Sequence, residues 1–149
     1  MDRLDATIRL MTIDDYAQVR SLWESCAGMG LRDADDSAEG IGVLLARNPS
    51  TCFVAENDGE VVGSILAGHD GRRAHLYHVA VSPRCRRQGV ARALVEAAID
   101  ALQREGIRKV SLVAFETNED GNRFWDSMGF TVRHDLVYRD KVLARGQRG

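Results

Sequence analysis

The 149-residue chain is poor in the residues that build special scaffolds: it carries three cysteines, two prolines and only 6% aromatics. Cys26, Cys52 and Cys85 are odd in number, far apart and without a CxxC pair. That pattern makes poor material for a disulfide framework or a metal site, so no metal is expected and a reducing, cytoplasmic setting is. Cys52 lies in an apolar run and reads as a buried thiol, whereas the arginines around Cys85 would favour its thiolate. No apolar stretch approaches the roughly 18 residues of a membrane span. Met1–Leu10 alternates charged and apolar residues, so no export signal is expected. A basic excess is missing as well. A net charge of −2 argues against a nucleic-acid partner.

What the chain does have is enough apolar residue, 44% against 28% charged, to build one soluble core. Its length, with no repeat, linker or low-complexity stretch, predicts a single domain over residues 1–149. Basic charge is local: Arg84, Arg86, Arg87 and Arg92 fall within nine positions, with Arg72 and Arg73 just before them. A basic spot on a near-neutral chain suits a small anionic ligand better than a polymer.

Hydrophobic period orders the elements. Thr7–Met11 alternates and predicts a strand, and Thr12-Ile-Asp-Asp15 is a helix-start signal. Tyr16, Val19, Leu22 and Trp23 then recur at helical spacing, and the helix is expected to fade by Gly28 and Gly30. An aspartate-rich loop (Asp33, Asp35, Asp36) leads to a second helix over Ala38–Arg47. Thr51–Glu56, Val61–Gly68 and Ala74–Ser82 have strand period, separated by the turn signals Asn57–Glu60 and His69–Arg73, and predict an antiparallel meander. Gly89–Glu105 is a long amphipathic helix closed by Gly106. Lys109–Phe115 predicts a strand, Asp120–Met128 a helix, and Phe130–Leu143 two last strands.

The chemistry concentrates between Val79 and Arg92. A strand ends near Pro83, a basic turn follows, and Gly89 opens the long helix. The first amides of a helix lack internal partners and lie at its positive end, which makes an anion site. Gly89 and Ala91 are small enough for a diphosphate to approach the backbone, and the arginines add charge. Neither a Walker loop nor a GxGxxG fingerprint is present. The plain alternative is a solvated basic turn.

Arg86-x-x-Gly89-x-Ala91, after Val79-Ala80-Val81 and Pro83, resembles the acetyl-CoA motif of the GNAT superfamily of N-acetyltransferases. The resemblance extends along the chain to Phe124-Trp125-x-x-x-Gly129-Phe130, similar to the family's Phe-Tyr-x-x-x-Gly-Phe. It implies an α/β (α+β) fold, with a mixed, mainly antiparallel sheet of about six to seven strands, four flanking helices and a splay between the two central strands. It implies acetyl-CoA as cosubstrate, an amine acceptor (small molecule or peptide), and a possible homodimer. The backbone of Val79, Ala80 and Val81 would bond the pantetheine arm, with the Val79 N–H as oxyanion donor. Peptide groups of Arg86, Arg87, Gln88, Gly89, Val90, Ala91 and Arg92 would wrap the pyrophosphate. Asn118 and Phe124 would line the cofactor groove, and the Gly28–Ser37 loop would border the acceptor.

An amine that attacks a thioester must first lose its proton, and a lysine-like amine holds it to a pKa near 10.4. His75, Tyr77, Val79 and Val81 alternate along one strand and are expected on one face, with His78 opposite. The resemblance implies catalytic side chains at His75 and Tyr77. His75 has a suitable unperturbed pKa near 6.5. Glu24 and Glu116 are further acidic candidates, Glu24 as a group that binds the acceptor amine. Trp125 stands where the family often has the tyrosine that protonates the leaving thiolate, and indole cannot do that work. That departure keeps open a second class of function, a CoA-binding sensor with little turnover. A nucleotide binder using the same turn is a third.

Overall fold

The computed structural model describes residues 5–26, 29–31 and 34–143. Five strands form one sheet in the order β1-β2-β3-β4-β5: β1 Thr7–Leu10, β2 Phe53–Asn57, β3 Glu60–His69, β4 Ala74–Val81 and β5 Val110–Ser111. All neighbours are antiparallel except β4 and β5, which run parallel. Four α-helices flank the sheet: α1 Tyr16–Glu24, α2 Ala38–Arg47, α3 Val90–Arg104 and α4 Glu119–Ser127. Among the described residues no helix is long and apolar enough to cross a membrane.

Local sequence explains each start. The Asp15 carboxylate accepts from the Thr12 N–H (2.9 Å) ahead of α1, and Ser37 Oγ accepts from Gly40 N–H (3.1 Å) to cap α2. Asp58 and Gly59 both take positive φ, the backbone of a two-residue hairpin between β2 and β3. The sheet separates two cores. On one side Val90, Leu94, Val95, Ala98 and Leu102 of α3 meet Val62, Ile65, Leu76 and Cys85. On the other Val19, Leu22 and Trp23 of α1 and Ile41 and Leu45 of α2 cover Val54, Leu66 and Ala80.

Two expectations need correction. The sheet has five strands among the described residues, not six to seven. Residues 131–143, expected to form two strands, carry no strand, and every one of them is exposed. Strand-prone residues become a strand only beside a partner edge. The pairing of β5 ends at Ser111, so Leu112–Phe115 extends no ladder for them. The described part of α1 ends at Glu24, in keeping with a helix that fades by Gly28. Gly28 and Asp33 lie outside the described residues.

Candidate active site

Pro83–Cys85 forms a short 3-10 turn that buries Cys85 in the α3 core. The chain then needs a sharp reversal, made by Arg87 (φ +63°) and Gly89 (φ +82°). Gly89 is the N-cap of α3, and no side chain caps the helix there. The first amides of this 15-residue helix therefore face outward at its positive end. A Cβ built on Gly89 would meet nothing within 4 Å, so the space in front of these amides is open. The arginines divide. Arg84 pairs with Glu60, and Arg86 Nε donates to the Val81 carbonyl (3.4 Å). Arg87 and Arg92 make no ion pair or hydrogen bond among the described residues. A cradle of open amides with two uncommitted guanidiniums fits a diphosphate.

β4 and β5 pair only at Ala74–Val110 and His75–Ser111. Beyond that rung the ladder stops, leaving an opening in the pairing between the rest of β4 and the segment from Leu112 to Phe115. His75 sits at its base, with Nδ1 3.1 Å from Ser111 Oγ and its ring 4.6 Å from that of Tyr77. Burial lowers the His75 pKa, so the imidazole stays neutral at pH 7. Tyr77 is shifted upward, first by burial and then by Tyr138 and Asp35, and keeps its phenol proton.

A bulge alters which residues share a face. Ser64 pairs with Ala80 and Leu66 with Tyr77, so Ile65 alone opposes both His78 and Val79. His78 takes φ +46° to make the bulge. The alternation inverts there. Val79 and Val81 pack toward α3, while the His78 ring lies 4.7 Å from Trp23 of α1. His78 thus shares a face with Tyr77, not the opposite face as expected. Tyr77 itself comes within 3.6 Å of a Cβ built on Gly68, beside Leu44 of α2. Sequence reasoning missed this because neither glycine nor proline marks the bulge.

His78 is held on several sides. Its Nε2 lies 2.6 Å from Asp36 Oδ1, with side-chain exposures of 15% and 7%. Trp23 Nε1 donates to Ser64 Oγ (2.9 Å), and Ser64 Oγ donates to the His78 carbonyl (3.0 Å). Asp36 therefore serves an internal contact, while Asp35 stays exposed near Tyr77. Glu24 is exposed and accepts from Arg20 Nε (3.1 Å) one turn away. Glu116 is also exposed. Asn118 caps α4, its Oδ1 accepting from Gly121 N–H (3.0 Å), and Asn122 Nδ2 donates to the Phe115 carbonyl (3.1 Å). Phe124 and Phe130 meet Trp125 edge-on at 5.0 and 5.1 Å, so the indole is a packing group. The structure thus brings His75 and Tyr77 together at the opening, and sets His78 against Trp23 and Asp36. It leaves Glu24 in a surface ion pair on α1.

This fold matches known proteins. The model of the acetyltransferase (GNAT) family matches residues 16–130, and the chain belongs to that family of transferases. Among curated relatives, an acetyltransferase of Sodalis glossinidius is 33% identical over 140 residues, covering 94% of this chain and 97% of its own. One of Pectobacterium atrosepticum is 37% identical over 112 residues, covering 75% and 78%. Solved structures share the fold at lower identity. The PaiA N-acetyltransferase of Thermoplasma acidophilum, in complex with coenzyme A, has a TM-score of 0.75 at 20% identity, covering 87% of this chain and 91% of its own. AAC(6')-Iy, in complex with a CoA-linked bisubstrate analogue, has a TM-score of 0.74 at 21% identity, covering 93% and 99%.

Proposed function

We propose that the protein transfers an acetyl group from acetyl-CoA to a primary amine by direct attack in a ternary complex. The observation that carries this reading is the uncapped, open start of α3 at Gly89, flanked by the uncommitted Arg87 and Arg92. Peptide groups from Arg86 to Arg92 hold the diphosphate, and the backbone of Val79, Ala80 and Val81 follows the pantetheine arm toward the opening. Phe124 and Asn118 border the same groove from α4. Bound there, acetyl-CoA supplies an activated thioester carbonyl.

The chain's own residues supply the proton traffic. With Nδ1–H donating to Ser111 Oγ, His75 keeps a bare Nε2 that accepts the proton of the incoming ammonium. The Val79 N–H steadies the developing oxyanion. Tyr77, still protonated at neutral pH, gives its phenol proton to the departing thiolate. Asp35, exposed near Tyr77, lends negative charge to the acceptor rim, which suits a cationic small molecule or a peptide amine; two of the solved neighbours are aminoglycoside acetyltransferases. The domain acts in a reducing cytoplasm, consistent with three free, buried cysteines.

One observation favours a second reading. Trp125 is locked between Phe124 and Phe130 and presents no hydroxyl, as a CoA sensor without turnover would tolerate. The test is incubation with acetyl-CoA and a panel of polyamines, amino sugars and peptides while free thiol is followed. Thiol release with any amine supports transfer. Silence across the panel, with acetyl-CoA binding demonstrated by calorimetry, overturns it in favour of the sensor.

A further inference from the structure

Two described parts of the connection between α1 and α2 meet other elements. At one described end, a Cβ on Gly30 would lie 3.6 Å from the Phe115 ring, on the chain that continues from β5. At the other, Asp36 meets His78 on β4. Two elements converge on Asp36. Tyr16 Oη and Arg20 Nη1, both from α1, donate to its carbonyl, and the His78 imidazole, from the bulge of β4, meets its carboxylate at 2.6 Å. The start of α2 is fitted against the same stretch. A Cβ on Gly40 would come within 2.5 Å of the Ala34 carbonyl and 2.4 Å of that of Asp35, so only glycine permits this approach.

We infer that Asp36 and His78 form a clasp that holds residues 34–37 against β4 and fixes the acceptor side of the site; the inference rests on the acetyl-transfer reading above. Both are positioning residues. A carboxylate buried to 7% needs a donor, and Nε2–H of His78 provides one. His78 can reach it only because the bulge turns its side chain from the α3 face to the Trp23 face. The left-handed backbone at His78 (φ +46°) is a local cost for a non-glycine residue. The ring contact with Trp23, the Ser64 bond to its carbonyl and the Asp36 contact together hold it there. Release of the clasp frees the loop from β4 and leaves the α3 amides untouched.

Two substitutions separate the clasp from other roles. His78→Gln places an amide N–H near the position of Nε2 and keeps a donor for Asp36, whereas His78→Phe keeps the ring on Trp23 and loses the donor. For each, acetyl-CoA affinity is measured by calorimetry, amide exchange by mass spectrometry over the peptide spanning residues 34–40, and kinetics with the fastest amine of the panel. In His78→Phe, exchange over that peptide is expected to rise about tenfold. Acceptor KM should also rise about tenfold, with kcat within about threefold and acetyl-CoA affinity within about twofold. His78→Gln is expected to stay near wild type in all four. Wild-type behaviour of His78→Phe reduces His78 to packing and overturns the clasp. An equal loss of kcat in both variants with unchanged exchange makes the imidazole a proton carrier and also overturns it. A panel without turnover sinks the acetyl-transfer reading instead, and the exchange comparison then decides the clasp by itself.

Discussion

The two halves of the proposed site are built on opposite principles. The cofactor half is one continuous segment, Pro83 to Arg92, in which main-chain amides present the binding groups and side chains only adjust charge. The acceptor half is assembled from pieces far apart in sequence: Trp23 on α1, Asp36 before α2, Ser64 on β3, and His75, Tyr77 and His78 on β4. A backbone site needs only a helix start and small residues, so its position survives wide side-chain change. A side-chain site depends on the packing that brings its members together. The first half therefore suits a ligand shared across a family, and the second an acceptor that differs between members.

That contrast can be broken by substitution. The largest effect is expected at Trp23, fully buried and bonded to Ser64. Trp23→Ala should cost about 3–5 kcal/mol in denaturant unfolding, since it empties the second core and frees His78 at once. Next is Gly89→Glu, which fills the open cradle with a carboxylate in front of the helix dipole. Acetyl-CoA affinity should fall about 100-fold or more, while the positive φ costs only about 1–2 kcal/mol of stability. Calorimetry and a melting curve on the same sample separate the two.

His75→Gln is expected to lower kcat about 100-fold with little change in acetyl-CoA affinity. In the wild type, kcat should fall as pH drops through the His75 pKa, and burial places that limb below the usual 6.5. A pH–rate series on both proteins shows whether the limb disappears with the imidazole. The same depressed pKa makes a small contribution to stability that is present above pH 6.5 and lost as pH falls through the folded value. Arg87→Ala and Arg92→Ala should each weaken acetyl-CoA binding about three- to tenfold, less at high salt, without moving the melting temperature.

The smallest effect sits outside the cleft. Arg9 forks onto Asp15 at 2.8 and 3.0 Å and holds its carboxyl below the usual aspartate range. This contributes stability above pH 4, lost as pH falls through the lowered value. Arg9 is 38% exposed, so Asp15→Asn should cost only about 1 kcal/mol at neutral pH, and less in acid.

Legibility in the sequence follows the same division. The helix-start site could be read because its parts are contiguous: proline, a basic turn, Gly89, then a 3.6-residue stripe. Most elements of the fold were legible from period and turn residues, as with Asp58-Gly59 between β2 and β3. Residues 131–143 were not, since their apolar residues advertise strands and pairing is a property of the neighbour. The bulge at His78 was hidden too. One extra residue reverses alternation for the rest of β4, and nothing in His78-Val79 announces it. Asp36 read only as one acid of an aspartate-rich loop bordering the acceptor, because its partner lies 42 positions away.

The most direct test of the α3 opening compares two ligands on the unaltered protein. Acetyl-CoA and S-acetylpantetheine carry the same thioester, and only the first has the diphosphate and nucleotide. Calorimetry should give binding at least about 100-fold weaker for the truncated ligand, the worth of about two charge-assisted hydrogen bonds. Equal affinities for the two would show that the open amides before Val90 hold nothing, and would contradict the account.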